Sequence, residues 1–388
     1  MPRAEAGAPV RIVSPLTAAA SPTATICYHD DMRRVAVIGV GVTKFGKHDR
    51  TSAELFAAAA ADALADAEMP ASRIQALYYG NVVGGETEQQ LHTSPQAASV
   101  LGLPSIPTTR FETACASSHA AFRHAVMEIA SGASDASWEQ TLGLTFPGVF
   151  ALVARAHMHK HGTTEEQMAA VAVKNHKHGV LNPKAQFQKE ITLETVLRSP
   201  LVADPLKLYD CCPFTDGGAA LVLASEEVAR ATRRPVWVLA SAAASDWMLI
   251  GDKRDLSRVP ATERAAAAAY RQAGKRPEDV DVVELHDCFT IAEIVATEGL
   301  GLFEPGTGGL AVEKGWTSLG GKVPVNPSGG LKAKGHPIGA TGAAQICEVV
   351  TQLRGEAGRR QVDGARTGLT HTLGGNTATV LVSLFGRD

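Results

Sequence analysis

Cys115 stands in the stretch Arg110-Phe-Glu-Thr-Ala-Cys115-Ala-Ser-Ser-His-Ala-Ala-Phe122, with small residues on its C-terminal side (Ala116, Ser117, Ser118, Ala120, Ala121). Small neighbours leave room for a bulky acyl group to reach the sulfur. Beyond them Phe122, Val126 and Ile129 recur at three- and four-residue steps, the spacing of one helix face, toward Gly132. The spacing predicts Cys115 just before or within the first turn of that helix. Free N–H groups and partial positive charge there favour a thiolate. A buried cysteine packing a helix start fits this stretch equally well when it is read alone. Three further segments carry thiol or imidazole groups: His286-Asp-Cys288-Phe, Gly335-His336-Pro337, and the glycine-rich His371-Thr-Leu-Gly374-Gly375-Asn. Thiols and imidazoles are the groups that act as nucleophiles and general bases near neutral pH.

The elements around these segments repeat. Val35-Ala-Val-Ile-Gly-Val-Gly reads as a buried strand, Ser52 to Glu68 as an alanine-rich helix and Arg73 to Tyr79 as a second strand. Ala219-Ala-Leu-Val-Leu-Ala is a strand after the turn Thr215-Asp-Gly-Gly. The second half runs in the same order. Pro235 to Ala240 is a strand, Ala261 to Ala273 an alanine-rich helix, and Val280 to Leu285 a strand ending at His286. His336 is read as opening a small-residue helix to Leu353, followed by strands at Gly368 to Thr372 and Ala378 to Phe385. Strands alternating with helices predict α/β sheets covered by helices, with the four reactive segments at the loops where such sheets build sites. The halves do not match fully. Two strands follow the small-residue helix of the second half. After the Cys115 helix comes only Trp138-Glu-Gln-Thr-Leu-Gly-Leu-Thr-Phe-Pro-Gly, a poor buried strand. One first-half strand is therefore read as missing.

The totals set bounds. A chain of 388 residues with net charge −3 suggests two or three domains and no nucleic-acid or membrane surface. The six cysteines (27, 115, 211, 212, 288, 347) form neither a disulfide framework nor a zinc pattern, so the cytoplasm is the expected compartment. Cys27, Cys211, Cys212 and Cys347 are read as packing residues. His157, His159, His161, His176 and His178 are read as a solvated face rather than a metal site. Residues 1–31 read as a disordered extension ahead of Met32, which resembles a chain start. The expected division is 32–147 with 215–233 as one half, 148–214 as a loop or cap insertion, and 234–388 as the second half.

Together the four segments resemble the active-site loops of the thiolase superfamily, most closely its sterol-carrier-protein-type and archaeal acetoacetyl-CoA members. Asn326-Pro-Ser-Gly-Gly-Leu-Lys-Ala-Lys-Gly-His-Pro-Ile-Gly-Ala-Thr-Gly is a long signature of that family, and His286-Asp-Cys-Phe marks the subtype. The resemblance runs from Val35 to Phe385, broken near residue 137. It implies a duplicated α/β fold, two βαβαβαββ halves in a five-layered α-β-α-β-α core. It implies acyl transfer on coenzyme A thioesters, with Cys115 as acylated nucleophile, His336 as its base and Cys288 as the second acid/base. His286, with His336, would polarise a thioester oxygen. The backbone N–H of Cys115 and one near Gly374 would form a second oxyanion hole. No metal or redox cofactor is implied, and the residues holding coenzyme A are not assigned. The expected partners are an acyl-CoA or acetyl-CoA substrate and a second copy in a homodimer or tetramer. A small OB-fold, zinc-ribbon partner protein and a hydroxymethylglutaryl-CoA synthase are implied for archaeal-type members.

One departure bears on activity. By the resemblance, the strand and turn after the Cys115 helix, roughly thirty residues, are lost between Asp135-Ala-Ser and Trp138. Two alternatives follow: a non-catalytic or partner-dependent scaffold left by that loss, and a retro-aldolase acting on steroid side-chain CoA thioesters.

Overall fold

The computed structural model describes residues 35–387 other than 75, 83–92, 104–105, 107, 131–145 and 248–249. The extension expected over residues 1–31 and the segment 131–145, where the repeat breaks, lie outside the described residues.

The chain opens with β1 (Val35–Val42) and helix α1 (Ser52–Asp66). Thr51 and Glu54 close a capping box that satisfies the first N–H groups of α1. Strand and helix pack closely because β1 supplies glycine and α1 supplies alanine. A Cβ at Gly41 would stand 1.9 Å from the Ala59 carbonyl oxygen, and one at Gly39 2.2 Å from that of Ala63. Next come β2 (Leu77–Gly80), α2 (Thr93–Val100), β3 (Thr108–Phe111) and α3 (Ser117–Ala130). Helices α4 (Phe146–His161) and α5 (Glu165–Gly179) follow, then the short strands β4 (Leu201–Ala203) and β5 (Leu206–Lys207). The first half closes with β6 (Ala219–Ser225).

The second half comprises β7 (Val236–Ser245), α6 (Pro260–Ala273), β8 (Val282–Leu285), α7 (Thr290–Gly299), α8 (Thr341–Arg354), β9 (Thr367–Gly374) and β10 (Thr379–Gly386). Among the described residues no helix is long and apolar enough to cross a membrane.

Six strands form one mixed sheet in the order β6-β1-β7-β10-β9-β8. It curls about α3 and α8, which pack on each other; α8 touches β6 and β1 on one side and β9 and β8 on the other. Outside it, α1 covers β1 and β6, and α6 covers β7 and β10. The layers are thus α-β-α-β-α, with the two β layers joined where Ala36 pairs Trp237 and Val37 pairs Val236.

The duplication locates the gap. In the second half the order is Val325, β8, β9, β10, β7. Val325 pairs parallel with Val283, β9 parallel with β8, and β10 antiparallel to both β9 and β7. In the first half β3 pairs parallel with β2, and β6 antiparallel with β1. The position equivalent to β9, between β2 and β6, holds no strand among the described residues. As a result β2 and β3 form a sheet of their own. A cavity of about 1170 Å³ lies there, walled by β6, β2, α1 and α3, with Leu55, Phe56, Ala125, Leu221 and Leu223 in its lining. Among the described residues, the position of the strand read as missing is bordered by this cavity.

Some boundaries differ from the sequence reading. The strand expected from Arg73 starts at Leu77, because Ala71–Arg73 forms a single 3-10 turn after Pro70. The helix expected to open at His336 begins at Thr341. Three of the five histidines expected on a solvated face are buried. His157 bonds Thr163 Oγ1 (2.7 Å) and Glu298 Oε2 (3.1 Å). His178 reaches the Asn326 carbonyl (3.0 Å) and accepts from the Leu319 N–H (3.2 Å), and His176 lies at the Lys189 carbonyl (3.1 Å). These contacts run to loops distant in sequence, which helical spacing does not reveal.

Candidate active site

Three of the four reactive segments meet at one point. The sulfur of Cys115 and one ring nitrogen each from His286 and His336 lie within 4.8 Å of one another. Gly374, of the fourth segment, closes on the loop that carries Cys115.

That loop is tightly wound. Ala114 has φ 47°, a left-handed conformation that strains a residue bearing a Cβ. Ser117 holds the turn: its Oγ donates to the Ala114 carbonyl (2.6 Å) and accepts from the Thr113 N–H (3.0 Å). The Ala114 N–H donates to Glu112 Oε1 (2.6 Å). The helix starts two residues after Cys115, as the spacing predicts. The resting charge differs from the expected thiolate. Burial pushes the Cys115 thiol up to about 12 and Glu112 adds to this, outweighing the opposing pull of the backbone N–H. Cys115 therefore rests as a thiol.

His336 stands beside it, its ring held by a hydroxyl. The Thr341 hydroxyl donates to the Pro337 carbonyl (3.1 Å), so toward His336 Nδ1 (2.6 Å) it accepts. The proton is thereby assigned to Nδ1, and Nε2 keeps its lone pair. Burial, reinforced by the Lys332 and Lys334 ammonium groups, holds His336 down to about 3, so the ring is neutral. The backbone N–H of His336 donates to Thr215 Oγ1 (3.1 Å).

His286 follows the last residue of β8 and packs edge-on to His336, with ring centroids 5.0 Å apart. It is fully buried, and neither ring nitrogen has a partner among the described residues. Burial, with His336, His371 and Lys332 nearby, holds it well below the ordinary histidine value. An unpaired buried polar group is costly and marks a position held for something else.

Cys288 is buried one residue beyond Asp287 but is not part of the three-atom cluster. Burial pushes its thiol well up, with Cys212 and Cys115 as the next electrostatic neighbours. Cys212, read as a packing residue, in fact borders the site. Its N–H donates to the Cys288 carbonyl (2.9 Å), and burial pushes its thiol up to about 12.

The long signature Asn326 to Lys334 underpins the His286 loop. Asn326 adopts φ 54°, accepts from the Leu285 N–H at Oδ1 (2.9 Å) and donates from Nδ2 to Glu293 (2.9 Å). Asp287 accepts from the Leu331 N–H (2.7 Å) and from Asn175 Nδ2 (2.8 Å). Lys174 pairs with Glu293, and Lys334 with Glu284 (3.1 Å), both in the buried interior. Charges satisfied in this way fix geometry more than they add stability. His119, which the sequence reading passed over, is also structural. Its ring bridges Thr372 Oγ1 (2.9 Å) and Ser383 Oγ (2.7 Å), locking α3 to β9 and β10. The only sequence signal for it is a histidine four residues after Cys115 on an otherwise small-residue helix start.

Fold and site together define a duplicated α/β protein in which a cysteine and two histidines meet in the interior. Two family patterns match: "Thiolase, N-terminal domain" over residues 35–138 and 141–227, and "Thiolase C-terminal domain-like" over 242–387. The chain belongs to the thiolase family of acyltransferase enzymes. It is 46% identical over 383 residues to the acetyl-CoA acetyltransferase of Methanothermobacter thermautotrophicus, covering 92% of this chain and 100% of that one. Sterol carrier protein 2 of Bos taurus is 37% identical over 391 residues, 90% of this chain and 71% of that protein. Among solved structures, the Ltp2-ChsH2(DUF35) aldolase superposes with TM-score 0.78 at 28% identity, covering 92% of this chain and 98% of that one. The N-terminal pattern breaks after residue 138, where the repeat loses its strand.

Proposed function

We propose that this chain is an acetyl-CoA C-acetyltransferase or 3-ketoacyl-CoA thiolase working through an acyl group on Cys115. The observation that carries this reading is the His336 ring, held at Nδ1 by the Thr341 hydroxyl, beside the Cys115 thiol. In the synthetic direction His336 Nε2 takes the Cys115 proton, and the sulfur attacks the thioester carbonyl of acetyl-CoA. The carbonyl–sulfur bond to coenzyme A breaks, and the Cys288 thiol gives its proton to the departing thiolate, leaving Cys288 as a thiolate and His336 protonated. The Cys288 thiolate then removes a proton from the α-carbon of a second acetyl-CoA, and the resulting carbanion attacks the acetyl-Cys115 carbonyl. A carbon–carbon bond forms, the bond to Cys115 breaks, and His336 returns its proton to the Cys115 sulfur. Degradation runs the same steps backwards. His286, unpartnered in the resting site, faces the thioester oxygen together with His336, and backbone N–H groups at Cys115 and Gly374 take the oxygen of the acyl-enzyme.

Identity to the archaeal acetyltransferase supports acetyl transfer. Likeness to the Ltp2-ChsH2(DUF35) aldolase supports a second reading, carbon–carbon cleavage of a CoA thioester without acylation, for which Cys115 is not needed. It also supports a search for a small OB-fold, zinc-ribbon partner. Light scattering with and without such a partner tests for that and for the homodimer or tetramer.

Intact-mass and peptide mass spectrometry after incubation with acetyl-CoA and acetoacetyl-CoA separates the readings. An acetyl group on Cys115, absent from Cys115→Ala, establishes the first half-reaction. Well-folded protein that takes no acyl group sinks it. Cleavage by Cys115→Ala at the wild-type rate would point to the aldolase reading, and neither activity to a scaffold.

A further inference from the structure

The reactive cluster also has the composition of a soft-metal site. Cys115 offers sulfur, and His286 and His336 each offer a ring nitrogen, all within 4.8 Å of one another and with no carboxylate among them. Sulfur and imidazole select zinc and its soft or borderline neighbours, whereas magnesium and calcium require oxygen ligands. A tetrahedral zinc centre has bonds of about 2.0–2.1 Å to nitrogen and about 2.3 Å to sulfur, placing neighbouring donors roughly 3.3–3.8 Å apart. Closing the cluster to that spacing needs a shift of about 1 Å or less in side chains that end at the site.

Two further observations point to a ligand here. His286 is fully buried with both ring nitrogens unpartnered among the described residues, so either can bind without breaking an existing bond. His336 is already oriented as a ligand: Nδ1–H donates to Thr341 Oγ1 and leaves Nε2 free, the arrangement by which an outer hydrogen bond aims a metal-binding imidazole. Cys115 is half-buried, so the cluster has a route to solvent.

We propose that Cys115, His286 and His336 form a reversible capture site for zinc, which blocks the unacylated enzyme. The site is inhibitory and supplies no cofactor to the reaction. Binding exchanges the Cys115 S–H bond for a sulfur–zinc bond and releases that proton to buffer; both imidazoles bind as neutral rings. Three protein ligands leave one position for water, the pattern of an open zinc site. Acylated or alkylated Cys115 has no thiolate to give, so modification and zinc exclude each other. The zinc site rests on the cluster's geometry, and the block it imposes rests on the acyl-transfer reading.

The test uses full-length protein freed of metal by a chelator and titrated with zinc chloride against a chromophoric zinc indicator. One zinc per chain is expected to compete with the indicator, with magnesium chloride inert. Cys115→Ser and His286→Asn should each weaken that site at least tenfold while retaining wild-type circular dichroism. Cobalt(II) in place of zinc should give a sulfur-to-cobalt charge-transfer band that Cys115→Ser and prior iodoacetamide treatment abolish. Zinc affinity unchanged in both folded variants, or a cobalt spectrum without the sulfur band, overturns the proposal. Should one variant misfold, the iodoacetamide-treated wild type decides alone. Protein that binds zinc in this way yet takes no acyl group from acetyl-CoA leaves the zinc site standing and removes the proposed reaction.

Discussion

Gly374, the last residue of β9, stands directly against Thr113 in the loop of Cys115: a Cβ on Gly374 would lie 2.4 Å from the Thr113 carbonyl oxygen and 3.4 Å from Ala116 Cβ. The two residues are distant in sequence, and their contact holds the Cys115 loop at the end of the second-half sheet. Gly374→Ala must therefore move one backbone or the other. Overpacking of this kind costs about 1–3 kcal/mol. Acylation of Cys115, followed by intact mass, should slow at least tenfold, and the urea midpoint should fall. A variant acylated at the wild-type rate would show that this contact does not position the sulfur.

The Thr341 hydroxyl assigns the tautomer of His336, and the same contact gives a second prediction. Thr341→Val keeps the side chain's shape and removes the acceptor for Nδ1–H. An unsatisfied buried donor costs about 1–3 kcal/mol, and the other tautomer, with Nε2 protonated, becomes competitive. Acylation should fall about tenfold, in the range seen when an outer hydrogen bond to a working imidazole is lost, and Thr341→Ser should restore it. Equal loss in the valine and serine variants would indicate a packing role for Thr341 and no role in fixing the proton.

Acid should unfold this protein through its buried neutral histidines. Burial holds His119 down to about 3, with His371 and Arg123 adding to the shift, and holds His178 down to about 3, with Lys174 contributing. In the unfolded chain both titrate near about 6.5. The sign follows: between those values the unfolded state binds more protons, so stability is full above the unfolded value and is lost as pH falls toward the folded one. Each histidine withdraws on the order of a few kcal/mol across that window. Urea midpoints should drop steadily from pH 7 to pH 4, and His119→Gln should show a shallower decline. A flat profile, or an unchanged slope in the variant, would falsify the assignment.

How much of this was legible in the chain depends on whether neighbours in sequence or neighbours in space decide the matter. The Cys115 helix and the alanine-rich helices α1 and α6 follow from local spacing, and the structure has them within a residue or two of the expected ends. The missing strand was legible because a duplicated chain carries its own reference: β9 has no first-half counterpart among the described residues. The meeting of Cys115, His286 and His336 came through family resemblance, since nothing local joins residues so far apart. Protonation states were not legible. A helix start favours a thiolate, but burial outweighs it at Cys115, and that burial comes from packing distant in sequence, such as Gly374 against the Thr113 carbonyl of the same loop. Nor was Cys212 legible as a neighbour of Cys288, because a backbone contact between two loops brings it there.

The slot between β2 and β6 leads to a prediction that separates the two halves of the duplication. Ala125 on α3 lines the slot, so added methyl groups there enter existing space. Ala268 on α6 is fully buried in the continuous core beneath β7 and β10. Ala125→Leu should stabilise the protein by about 1–2 kcal/mol, following the gain of about 0.8 kcal/mol per buried methylene with allowance for lost rotamer freedom. Ala268→Leu should destabilise it by about 1–3 kcal/mol through overpacking. Urea unfolding of the two variants beside the wild type gives opposite shifts in midpoint if the first half carries a vacancy. Equal destabilisation by both would mean that the walls of the slot close on themselves in solution, so that the first-half layers have repacked around the lost strand and the chain has rebuilt a full core there.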